Sequence, residues 1–239
     1  MQIDTIGETG STNADLAARL ASGDVLAEGY WLVADRQTAG RGRQGRQWFD
    51  TPGNFMGSTV VELRVSDPPA MLLSMVAALA LLETVLQRLP DPLRVRLKWP
   101  NDVLLDGAKF CGILLERVKG HAVIGMGVNL VSAPSIDGRD TRSLSALGPA
   151  PQRDAFACEL AAAFAKEVAR WRSHGGGDLR TRWQAAAHPL GTVLSVHDEH
   201  GAVVSGQFAG LAEDGALILR LDDGSQRVIH AGDVTEEKA

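Results

Sequence analysis

The chain has 239 residues, 45% of them hydrophobic and 22% charged, with a formal net charge of −5. Such a composition supports a folded core and excludes disordered or collagen-like chains. The mild acidity argues against a protein that coats nucleic acid or an anionic membrane, so any cationic site must be local. Cys111 and Cys158 fit neither a disulfide framework nor a CxxC metal pair, and Met1 to Asp4 begin no secretory signal, so a cytoplasmic address is expected.

Thr12 and Asp15 stand at capping-box spacing and Gly23 supplies a stop, which predicts a helix over about 14–22. Tyr30 to Ala34 reads as a strand. From Arg36 to Asn54 there is too much Gly and Arg, and too little periodicity, for either element. A loop of 19 residues inside a compact domain calls for a function. Ser58 to Val65 reads as a strand, and Pro68-Pro69 open a helix that ends near Leu89, with Pro90 and Pro92 as stops. Its apolar stretch, Met71 to Leu82, is 12 residues, short of the roughly 20 that a membrane span needs.

Arg94 to Trp99 alternates strictly, with Val95, Leu97 and Trp99 on one face and three cations on the other. Val103 to Leu105, Asp106-Gly107 and Lys109 to Glu116 form a hairpin, and Ala122 to Leu130 a further strand. A helix over about 154–173 aligns Phe156, Leu160, Phe164, Val168 and Trp171, and Gly175-Gly176-Gly177 ends it. Beyond Pro189 come short strands near 192–197, 202–210, 215–221 and 225–230, with turns at His200-Gly201, Asp214-Gly215 and Asp223-Gly224. This divides the chain into a mixed α+β domain over 1–187 and a small all-β module over 188–239.

Three segments carry chemistry. In Gly40-Arg41-Gly42-Arg43-Gln44-Gly45-Arg46-Gln47-Trp48, glycines admit close approach to a ligand and three guanidiniums suit carboxylate or phosphate oxygens. The same residues read equally as a solvated basic loop or an Arg-Gly nucleic-acid segment. Lys98-Trp99-Pro100-Asn101-Asp102, with Lys109 to Leu114 after it, is either a nucleotide or metal site or an ordinary turn beside strand cations. In Gly125-Met126-Gly127-Val128-Asn129, strand glycines mark close approach of a ligand, or of a bulky neighbour. The six His form no metal array, and no Walker A, GxSxG or strand-linked GxGxxG occurs.

Taken in order, Gly10-Ser11-Thr12-Asn13, Gln37 to Trp48, Lys98 to Asp102, Lys109 to Leu114 and Gly125 to Asn129 resemble the biotin protein ligase family over nearly the whole chain. The resemblance implies a mixed-sheet catalytic domain like that of class II aminoacyl-tRNA synthetases, followed by a small SH3-like β-barrel. It implies ATP-dependent formation of biotinyl-5′-AMP, then transfer to a lysine of a biotin carboxyl carrier protein, with Mg²⁺ held through the ATP phosphates and no protein metal site. Lys109 and Arg43 become the catalytic residues. Ser11, Thr12, Asn13, Gln37, Gly40, Arg41, Gly42, Arg43, Trp48, Lys109 and Gly112 fall on the biotin side. Arg41, Arg43, Arg46, Trp48, Lys98, Asn101, Asp102, Lys109 and Asn129 fall on the adenylate side. The arginine loop becomes a lid.

Two departures stand out: Gln44 replaces an Arg that many members carry, and Thr235-Glu236-Glu237-Lys238 lacks an Arg that some place near ATP. Only ten residues precede Ser11, so the monofunctional type, without a DNA-binding repressor domain, is expected. No DNA or membrane partner is expected, and both a monomer and a homodimer are open. Two other readings remain: a lipoate or octanoate ligase of the same fold, and a nucleic-acid-binding module built on the Arg-Gly loop.

Overall fold

The computed structural model describes residues 2–49, 51–89, 91–197 and 202–236. Pro90, the His200-Gly201 turn, Glu237 and Lys238 lie outside them. Two sheets organise the chain, and the architecture is α+β. The first is mixed and seven-stranded, built from β1 (Gln2–Thr9), β2 (Tyr30–Gln37), β3 (Phe55–Glu62), β4 (Val95–Lys98), β5 (Asp102–Leu105), β6 (Ala108–Val118) and β7 (His121–Val128). Its order is β1-β2-β3-β7-β6-β5-β4, with β1 parallel to β2 and all other pairs antiparallel. The second is antiparallel, in the order β11-β10-β9-β8-β12, from β8 (Val193–His197), β9 (Val203–Leu211), β10 (Leu217–Arg220), β11 (Gln226–Ile229) and β12 (Asp233–Glu236).

Alternation along β2 sorts its side chains to both faces of the first sheet. Trp31 and Val33 join the main core beneath α2 (Leu73–Leu86) and α3 (Arg153–Ala185). Tyr30 and Leu32 meet Leu16 and Leu20 of α1 (Thr12–Ser22) in a smaller cluster on the opposite face. That smaller cluster covers only part of its face, and the uncovered remainder is where the pocket forms.

Several expected boundaries are corrected. Strand β1 went unread in the sequence: its exposed, polar residues show little alternation, and its partner β2 lies some 28 residues downstream. The cap of α1 is Ser11, whose hydroxyl accepts from the Ala14 amide at 3.4 Å, while Asp15 takes a hydrogen bond from Thr9 instead of completing a box with Thr12. Strand β3 begins at Phe55 rather than Ser58 and ends at Glu62. A short 3₁₀ turn over Ala70–Leu72 precedes α2, which stops at Leu86. The glycine triplet breaks α3 without ending it: Gly175 takes φ 75°, ψ −179°, and helix resumes to Ala185. Strand β12 was also missed.

Candidate active site

The first sheet contains a strip without side chains. Gly112 on β6 pairs directly opposite Gly127 on β7, and Gly125 lies two residues back on the same face of β7. Each glycine is matched to a bulky neighbour. A Cβ on Gly127 would come within 2.2 Å of the Trp48 indole, one on Gly112 within 3.0 Å of it, and one on Gly125 within 2.5 Å of Asn13 Oδ1. The glycines of Gly125 to Asn129 thus make room for Trp48 and Asn13.

Trp48 reaches this strip because the arginine loop folds into a small hairpin. Trp48 N donates to Gly40 O at 2.9 Å, Gly42 N to Arg46 O at 2.7 Å, and Arg41 bridges Gln47, with a 3₁₀ turn over Arg43–Gly45 at the tip. Arg43 Nη1 donates to Asn101 Oδ1 at 3.3 Å, tying the loop to the turn after β4. Asn101 in turn donates from Nδ2 to Ile113 O at 2.5 Å and accepts Ile113 N on its own carbonyl at 2.9 Å.

Under the loop lies a pocket that opens to solvent. At one end are Ser11, Thr12, Asn13 and Gln37; at the other Arg41, Arg43, Arg46, Asn101 and Asp102; Gly42, Trp48, Lys109, Gly112 and Asn129 also line it. The uncharged end is tightly wired. Gln37 Oε1 accepts from Thr12 N at 2.8 Å and from Thr12 Oγ1 at 3.1 Å, Thr12 Oγ1 meets Ser58 Oγ at 2.7 Å, and Asn13 Nδ2 donates to Glu116 Oε2 at 2.5 Å. Two buried acceptors on the lining, Asn13 Oδ1 and Asn129 Oδ1, have no hydrogen-bond partner among the described residues. Buried acceptors are costly unless satisfied, so this lining fits a ligand that brings N–H or O–H donors.

At the charged end, Lys109 Nζ stands 2.5 Å from Asp102 Oδ1, both largely buried. Register decides this: β5 and β6 pair Leu104 with Lys109 and Asp102 with Gly112, with an irregularity between Val103 and Leu104. Burial pushes the Arg43 pKa down, against the pull of Asp233 and Asp102. Burial also lowers that of Lys98, with Lys109 and Arg139 adding to the effect while Asp102 opposes it.

Two expected site residues do not line the pocket. Lys98 lies behind Asp102, paired with it across β4 and β5, and Gly40 serves the loop hairpin through its carbonyl and its contact with Trp48. Other residues on the lining were not anticipated: Ser58, Pro134, Ile136, Arg139, Thr141 and Asp233. The loop after β7 carries four of them and is held to β6 by Lys109 N donating to Asp140 O and Arg142 N to Lys109 O. Asp233, on β12, pairs with Arg46. No sequence period marks either contact. Among the described residues no group of three or more His, Cys, Asp or Glu could hold a metal, and no helix is long and apolar enough to cross a membrane.

Sequence relatives place this site in a ligase. Residues 11–129 match the Biotin/lipoate A/B protein ligase family, and residues 195–235 match the Biotin protein ligase C terminal domain. The chain is 38% identical to the biotin–[acetyl-CoA-carboxylase] ligase of Mycobacterium tuberculosis, covering 98% of this chain and 88% of that protein. It is 39% identical to the enzyme of the same name from Paracoccus denitrificans, covering 96% and 98%. In fold it resembles the biotin protein ligase of Aquifex aeolicus in complex with biotin and ATP, with a TM-score of 0.84, 23% identity, and 100% and 99% of the two chains covered. The chain belongs to the biotin/lipoate A/B protein ligase family.

Proposed function

We propose that the protein activates biotin with ATP and transfers it to a lysine of the biotin carrier of acetyl-CoA carboxylase. The names of the relatives at 38% and 39% identity support this activity and this partner. The observation that carries the residue assignment is the position of Lys109. Its ammonium lies against Gly112, which pairs with Gly127 under Trp48, and it is bound to Asp102, next in the chain to the Asn101 that holds Arg43.

The uncharged end, Ser11 to Asn13 with Gln37, suits the ureido ring of biotin, whose N–H groups would satisfy Asn13 Oδ1. Trp48, seated on Gly112 and Gly127, gives that ring system an apolar wall and closes it from water. The carboxylate of biotin then points to Lys109, where the α-phosphate of ATP must also come. In the first step a carboxylate oxygen attacks the α-phosphorus, the bond to the β-phosphate oxygen breaks, and pyrophosphate leaves. Two anions must meet, and Lys109 and Arg43, fixed by Asp102 and Asn101, supply preorganised positive charge at that point. Arg41 and Arg46 extend the cationic lining toward the pyrophosphate. Mg²⁺ bound through the phosphates would neutralise the leaving group.

In the second step the carrier lysine, as the free amine, attacks the acyl carbon; the acyl–phosphate bond breaks, AMP leaves and the amine sheds its proton. Asn129, Asn101 and Asp102 are assigned to the adenylate side, with Lys98 as a supporting cation behind Asp102. Gly40 belongs to the biotin side through its hold on Trp48. The separate strand ladders support a catalytic domain over 1–187 and an SH3-like module over 188–239.

Intact mass of a biotin carrier domain after incubation with the protein, biotin and Mg-ATP tests the reading. A single biotinyl addition at one lysine is expected, and no addition, or addition with lipoate alone, overturns it.

A further inference from the structure

Asp233 is an acidic pocket residue that the reaction above does not use. It opens β12 of the C-terminal sheet, yet its carboxylate reaches across to the arginine loop and accepts from Arg46 Nη2. The other oxygen partner of that nitrogen is Gln44 Oε1, at 2.8 Å, from the loop itself. Burial pushes the Asp233 pKa up, but Arg46, Arg43 and Arg139 outweigh it and hold the carboxylate ionised. Arg43, Arg46 and Arg139 all line the pocket, so a single anion from a distant part of the chain sits among the cations that a triphosphate would need.

We propose that Asp233 is a resident counter-anion for the arginine loop, a positioning residue that holds Arg46 to the C-terminal sheet until the phosphates of the nucleotide displace it. This rests on the reading that ATP binds at the arginine end. The exchange follows from charge. A triphosphate offers Arg46 several charged oxygens where Asp233 offers one carboxylate, while a carboxylate left beside the phosphates repels them. Nucleotide binding therefore carries the cost of breaking the Arg46 contact, and in return frees the loop from β12. Both partners are about two-fifths exposed, so the effect is modest, about two- to fivefold in an equilibrium constant.

The test compares Asp233→Asn with Asp233→Glu and the unmodified protein in biotin adenylation, with pyrophosphate as a competing anion. In Asp233→Asn the KM for ATP and the inhibition constant of pyrophosphate should fall about two- to fivefold, while kcat and the dissociation constant of biotin without nucleotide stay as they were. Asp233→Glu, which keeps the charge, should stay within twofold of the unmodified values. Limited trypsinolysis without nucleotide supplies a readout apart from activity: residues 41–46 should be cleaved faster in Asp233→Asn. An ATP KM that is unchanged or raised in Asp233→Asn, with normal adenylation by the unmodified protein, overturns the assignment of Asp233 alone. Failure of the unmodified protein to adenylate biotin and to bind ATP overturns the functional reading with it.

Discussion

Lys109 Nζ lies 2.5 Å from Asp102 Oδ1, joining the second strand of a hairpin to the start of the first and fixing an ammonium on the lining of the pocket. A largely buried pair of this kind contributes little net stability, because desolvation offsets most of the attraction. In the proposed reaction its value is positional: it would hold one cation where a carboxylate and a phosphate must meet.

Lys109→Ala should therefore lower the rate of biotinyl-5′-AMP formation by about 10²–10³-fold, measured by separating the adenylate from ATP. The melting temperature should move by no more than a few degrees, since Lys98 still neutralises Asp102 from behind. Adenylation at the unmodified rate would remove Lys109 from the chemistry.

Arg43→Gly breaks the hydrogen bond to Asn101 that ties the loop to the turn after β4. The expected outcome is leakage: activated biotin escapes the closed pocket and labels unrelated lysines, visible as streptavidin-reactive bystander proteins. Labelling confined to the carrier would show that the Arg43 contact does not close the loop.

Gly127→Ala tests the seat of Trp48. The new methyl carbon would stand 2.2 Å from the indole, so the ring must leave while the strand ladder around it is kept. The KM for biotin should rise about tenfold or more, equivalent to about 1.4 kcal/mol of lost binding, with the melting temperature nearly unchanged. Equal KM values would mean that the indole takes no part in binding.

His188 gives a pH signature. Its ring is buried at the junction with the C-terminal sheet, with Nδ1 3.4 Å from Glu236 Oε2 but with neither nitrogen in a hydrogen bond among the described residues. Burial lowers its pKa below the ordinary histidine range, with Arg96 and Lys98 adding to the effect and Glu236 opposing it. The unfolded chain thus takes up the proton more readily than the folded one, and stability falls as pH drops through and below about 6.5. Thermal melts between about pH 7.5 and 5 should show a steeper loss for the unmodified protein than for His188→Leu. Parallel curves would mean that His188 does not titrate against folding.

Much of this was written locally. The alternation of Val95, Leu97 and Trp99, the Asp106-Gly107 turn and the apolar spacing of α3 are short-range patterns, and each element formed about where its pattern lies. The residues of the pocket could be picked out because five motifs in fixed order carry family chemistry. That order pointed to the class of reaction before any distance was known, with a lipoate ligase and a nucleic-acid-binding module left as other readings.

What only the tertiary structure decided is how those residues meet. The sequence left two readings of Gly125 and Gly127, ligand or bulky neighbour, and the neighbours proved to be Asn13 and Trp48, from 112 and 79 residues away in the chain. It left the hairpin register open, and the irregularity at Val103/Leu104 brought Lys109 to Asp102. It gave no sign of β1, whose polar strand is specified by the ladder to β2, nor of Asp233 beside the arginine loop. Contacts of this kind depend on chain crossings and strand register, quantities that no local period encodes, because each is set by the packing of the whole sheet.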